Sequence, residues 1–96
     1  MTIASYLNQL LREGKFWFLK ESAMDLWLIS RNPAALPYLA AAYFCMDDSP
    51  LGQHWLQQSR QNLAPGEQKE LAHEIGGNAP ANVAPKVTLL MSKLSV

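Results

Sequence analysis

Between Ala34 and Gln58 the chain reads AALPYLAAAYFCMDDSPLGQHWLQQ, and no other stretch constrains the fold as strongly. An apolar run rich in alanine, holding Leu39, Ala40 and Tyr43, is followed by a turn and then by a second run with Gly52, Trp55 and Leu56. Small residues at Ala40 and Gly52 allow two helix backbones to approach closely, while the larger side chains fill the space between them. The spacing predicts an antiparallel helix pair. Its turn is Asp47-Asp48-Ser49-Pro50, with Ser49 expected as N-cap and Pro50 at the first helical position.

The flanking sequence extends this pattern. Residues 3 to 13 place Ile3, Leu7, Leu10 and Leu11 on one helical face, with Gly14 as a C-terminal stop. A second helix is predicted from Phe16 to Ser30. Apolar residues surround it almost completely, so it is either central to the bundle or exposes one face to a partner. Asn32 and Pro33 then make a cap and first-turn pair, and Pro37 fits a helix start better than a helix interior, which predicts a third helix from Leu36 to Met46. The fourth runs from Pro50 to Asn62, and Pro65 opens a fifth that Gly76 and Gly77 are expected to end. GGNAPANVAP reads as a flexible linker. Beyond it, Val87, Leu90, Met91 and Leu94 form an apolar stripe on a short helix that must dock on something to be ordered. Residues 1–77 are thus expected to form a helical domain, and 78–96 a linker and amphipathic tail that is helical or disordered. No alternating run of β-branched residues is present, and the expected class is all-α with about five antiparallel helices.

Composition narrows the function. Lys plus Arg equals Asp plus Glu at eight each, so no net field attracts nucleic acid or an anionic membrane. The longest apolar stretch is interrupted by Lys20, Glu21 and Asp25, which argues against membrane insertion. One cysteine, Cys45, excludes an internal disulfide and suits a reducing compartment, and the N-terminus lacks a secretory pattern, so a cytoplasmic protein is expected. His54 and His73 have no ligands at metal spacing, and Asp47 and Asp48 read as solvated turn residues. With no phosphate-binding glycine loop, nucleophile motif or cofactor signature, the chain is expected not to be an enzyme and to carry no cofactor or metal.

Leu39-Ala40-x-x-Tyr43 followed by Gly52-x-x-Trp55-Leu56 resembles a tetratricopeptide or Sel1-like repeat, and Leu63-Ala-Pro-Gly-Glu-Gln68 resembles the helix start that follows such repeats. The chain departs from the pattern where the interhelical loop is short and lacks glycine, and where Ser59 replaces the usual alanine. Trp27-Leu28 echoes Trp55-Leu56 at an offset shorter than the repeat period of these families. Asn32-Pro33 through Tyr43 is also similar to the small tetratricopeptide-like chaperones of bacterial type III secretion. The resemblance implies helical hairpins and a concave groove lined by Ala34, Pro37, Ala41, Phe44 and Cys45; alternatively, the first helix covers that surface and leaves no groove.

Three successive aromatics at Phe16, Trp17 and Phe18 cannot all face one core, so Trp17 and Phe18 are expected at an interface. Together these features lead to a protein-interaction module: a small chaperone or adaptor that binds an amphipathic partner helix, with a bacterial secretion system as one setting. Docking of the tail by exchange between chains would make a homodimer. The competing readings are a small helix-turn-helix regulator and an accessory subunit of a larger enzyme complex.

Overall fold

A computed structural model describes residues 3–94, and among these residues there are six helices and no strand. The helices are α1 (Ile3–Arg12), α2 (Phe16–Ser30), α3 (Ala35–Cys45), α4 (Ser49–Asn62), α5 (Pro65–Asn78) and α6 (Ala84–Leu94). The all-α class is as expected.

The central helix is α3 and not α2. Nine of its eleven residues are buried, from Ala35 through Ala42 and then Phe44. A helix with alanine at four of its eleven positions, three of them consecutive at 40–42, presents little bulk there, so neighbours can close around it, and α2, α4, α5 and α6 all pack against it. Two side chains of α2, Leu19 and Ala23, reach full burial. Between α3 and α4 the approach is closest at Gly52, where an added Cβ would lie 2.7 Å from the Phe44 ring. The small residue predicted to bring the helices together does so, and the side chain it admits is Phe44.

The ends of the helices follow local chemistry. Gly14, at φ +72°, closes α1 in the left-handed region: its N–H donates to Leu11 C=O and that of Lys15 donates to Leu10 C=O. Asp47 repeats this arrangement after α3 with φ 61°, donating to Phe44 C=O while Asp48 donates to Tyr43 C=O. The Asn32 side chain accepts from the N–H of Ala34, and Pro37 falls in the first turn of α3, where its missing N–H would have no partner anyway. The cap of α4 is Asp48, whose carboxylate accepts from Leu51 N–H at 3.3 Å, one residue earlier than the Ser49 expected. Buried Gln68 donates to Leu63 C=O at 2.6 Å and to Arg60 C=O at 3.4 Å, satisfying carbonyls left open where α4 stops.

The expected stop at Gly76 and Gly77 is absent. Helix α5 continues through both to Asn78, whose side chain donates to Glu74 C=O, and only residues 79–83 separate it from α6. The predicted ten-residue linker is therefore a five-residue connection. Helix α6 docks on its own chain, against α5 and α3, with Val87 fully buried and Lys86 paired with Asp47 at the α3–α4 turn. The side chains of Leu90, Met91 and Leu94, the rest of the expected stripe, lie outside the described residues.

One polar chain, buried at Tyr38 and Asn8 and reaching the surface at Glu74, joins three helices. The Tyr38 hydroxyl of α3 donates to Asn8 of α1 at 2.8 Å, and the Asn8 amide donates to Glu74 of α5 at 2.7 Å. Burial raises the Tyr38 phenol well above its ordinary range, with the Glu74 charge adding to the effect and the Asn8 hydrogen bond opposing it.

Candidate functional site

The residues assigned to a groove by the repeat register do not line an open one. Pro37, Ala41 and Phe44 are fully buried, and Ala34 and Cys45 are half-buried. Phe44 lies over Gly52 inside the α3–α4 contact. Ala34 borders a cavity of about 80 Å³ with Ala4, Leu7, Asn32, Ala35, Tyr38 and Leu71. That volume accommodates a few water molecules and is too small for a helix. Burial also pushes the Cys45 thiol up to about 11, which suppresses its reactivity at neutral pH.

Trp17 and Phe18 are placed differently. Each is 56% exposed, and their rings meet edge to face at 5.3 Å. Three turns further along α2, Leu28 is 55% and Ile29 80% exposed. At 100° per residue, Trp17, Leu28, Glu21, Asp25, Phe18 and Ile29 fall within an arc of about 120°, opposite the buried Leu19 and Ala23. One outer face of α2 thus carries an apolar pair at each end and two carboxylates between them.

The periphery of this face is cationic. Lys20 Nζ lies 5.1 Å from the centroid of the Trp17 ring and 2.9 Å from Glu21, whose hydrogen bond holds the ammonium above its ordinary range. Arg31 stacks over Trp27 at 5.4 Å. Asp25 is exposed and forms no ion pair among the described residues.

Leu28 and Ile29 are absent from the sequence-based expectation. The signal that marks them is the repetition of a large apolar pair eleven residues apart, at 17/18 and 28/29, a spacing that returns to the same helical face. Trp55, expected to fill the space between α3 and α4, is half-buried against the core, and its buried indole N–H finds no acceptor among the described residues.

Other surfaces offer less. A shallow depression between α5 and α6 is lined by Lys69, His73, Gly76, Gly77, Thr88 and Ser92. His54 and His73 sit on different helices, and among the described residues no three His, Cys, Asp or Glu side chains gather as a metal site. No helix among the described residues is long and apolar enough to cross a membrane. No family model, curated protein or solved structure matches the chain, so the tetratricopeptide/Sel1-like resemblance stands on the residues that carry it.

Proposed function

We propose that this chain is a non-enzymatic protein-interaction module, a small chaperone or adaptor, and that it binds an amphipathic partner helix across the outer face of α2. The observation that carries the reading is the exposure of Trp17, Phe18, Leu28 and Ile29 on one face of one helix. Burying a large apolar side chain is worth roughly 1.5 to 3 kcal/mol. Four such side chains on a single stripe form the kind of anchor that partner helices use, whereas isolated exposed apolar residues need no explanation. The groove suggested by the repeat register plays no part, because its residues are packed against the chain's own helices.

A DNA-reading role for α4 and α5 is weaker on charge. Arg60 and Lys69 share that region with exposed Glu67, Glu70 and Glu74, which would face phosphate with repulsion.

A photoreactive amino acid placed at Phe18, at Ile29 or at Gln57 on the polar face of α4, followed by irradiation in the native cell, tests the reading. A protein adduct common to positions 18 and 29 and missing at 57 is the expected result. Adducts that form equally from all three positions, or only from 57, would dismiss α2 as the binding face.

A further inference from the structure

The charge pattern of the α2 face restricts what can lie on it. Trp17 and Phe18 occupy one end of the stripe and Leu28 and Ile29 the other, about 16.5 Å apart along the axis at 1.5 Å per residue. Between them, Glu21 and Asp25 follow the middle of the stripe. Glu21 is already met by Lys20, whereas Asp25 has no cation of its own among the described residues. An apolar partner laid along the stripe would take the Asp25 carboxylate out of water without compensation, which costs more than the contact around it returns. A second copy of the chain fares no better. Antiparallel packing of α2 on itself would set Trp17 and Phe18 against Ile29 and Leu28, but would bring Glu21 of each copy onto Asp25 of the other.

Resting on the reading of α2 as the binding face, we propose that its partner is an amphipathic helix of about four turns that carries a lysine or arginine between two pairs of large apolar residues, and that Asp25 recognises this cation. The apolar pairs supply most of the affinity, and the carboxylate sets register and excludes helices with an acidic centre. Lys20 and Arg31 are held over indole rings at the periphery, so the cation belongs at the centre of the partner and not at its ends.

The test is a selection from a displayed library of helical peptides of about 15 residues, with apolar residues fixed at both ends and the central outward positions varied among Lys, Gln and Glu. The targets are the wild-type protein, the charge reversal Asp25→Lys, and the double variant Trp17→Ala/Ile29→Ser, each checked for an unchanged melting curve. Enrichment of central Lys on the wild type, reversal to central Glu on Asp25→Lys, and loss of both enrichments on the double variant are expected. Individual peptides should show a preference of about tenfold that inverts with the charge swap, a difference of one decade in Kd. Enrichment that depends on Trp17 and Ile29 but shows no central charge preference would overturn the proposal and leave α2 as the binding face. Recovery that is the same from the double variant would overturn both. Two controls on the wild type also decide: dimerisation through α2 in sedimentation equilibrium, or Trp17-dependent binding to zwitterionic vesicles, would replace the basic helix with a second copy or a membrane surface and overturn the proposal.

Discussion

At position 52 a methyl group would have to share its space with the Phe44 ring, and Phe44 is itself sealed in the core. The ring cannot swing into solvent, so either α4 moves away from α3 or Phe44 leaves its rotamer. Gly52→Ala should therefore destabilise the fold by about 1 to 3 kcal/mol in chemical denaturation, the usual cost of overpacking, although alanine is the better helix former. A stabilised variant would mean that the helices have slack at this point. Cys45, on the same helix as Phe44, gives a test in pH. Burial raises its thiol from the ordinary 9.0 to about 11, with the Lys86 charge opposing and Asp47 adding. The folded chain thus keeps this proton more tightly than the unfolded chain does. The resulting stability is fully present below about pH 9 and is lost as pH climbs through about 11. Tyr38, also raised by burial, adds a loss of the same sign. The denaturation midpoint should fall on the alkaline side of about pH 9, and Cys45→Ala should blunt the first part of the fall while Tyr38→Phe leaves that part in place. Superimposable pH profiles for the wild type and Cys45→Ala would show that the thiol titrates no differently in the folded chain.

Helix boundaries were legible wherever a residue acts on its own backbone. Gly14 in the left-handed region, Asn32 accepting from Ala34, Asp48 before Ser49-Pro50 and Pro65 at a first turn are local devices, and each marks an end within a residue or two of the expected place. What was not legible depends on tertiary contacts. Gly76 and Gly77 each disfavour a helix by roughly 1 kcal/mol relative to alanine, yet α5 passes through them because Ala72 and Ile75 are buried on one side and α6 lies along it, with Thr88 beside Gly76. The candidate site divides in the same way. Three consecutive aromatics announce that some must be exposed, whereas the choice of α3 over α2 as the central helix follows from how closely an alanine-rich helix can be surrounded, and it is this choice that turns Leu28 and Ile29 outward. Gln68 shows how one side chain couples two elements, since it belongs to α5 and closes the end of α4. Replacing it with leucine keeps the bulk but leaves the Leu63 carbonyl without a partner in a buried position. Gln68→Leu should cost about 1 to 3 kcal/mol, the desolvation penalty of an orphaned acceptor. Hydrogen exchange should quicken in the last turn of α4 before the rest of the helix; a uniform change across the molecule would place the role of Gln68 in general packing.

For the molecule as a whole, the arrangement on α2 bears on self-association, because exposed apolar pairs flank two carboxylates. A helix with Trp17, Phe18, Leu28 and Ile29 facing outward is symmetric in size about its middle, so a second copy laid antiparallel would match large side chain to large side chain at both ends. The midpoint is where the match fails, because each Glu21 would meet the Asp25 of the other copy and the two-fold axis would gather four carboxylates. Two like charges about 4 Å apart repel by about 1 kcal/mol in a water-like dielectric, and the symmetry supplies two such pairs, each softened by the Lys20 ammonium on Glu21. That repulsion weakens self-association by at most about thirtyfold, at one decade in Kd per 1.4 kcal/mol. The carboxylates act against unwanted pairing much as inward charges do on exposed sheet edges. Neutralising both at constant shape, as Glu21→Gln/Asp25→Asn, should strengthen concentration-dependent self-association in sedimentation equilibrium relative to the wild type, and adding Ile29→Ser to that variant should reverse the change. If the neutral variant sediments as the wild type does at every concentration, the acids do not hold the chains apart, and their place in the stripe needs a different cause.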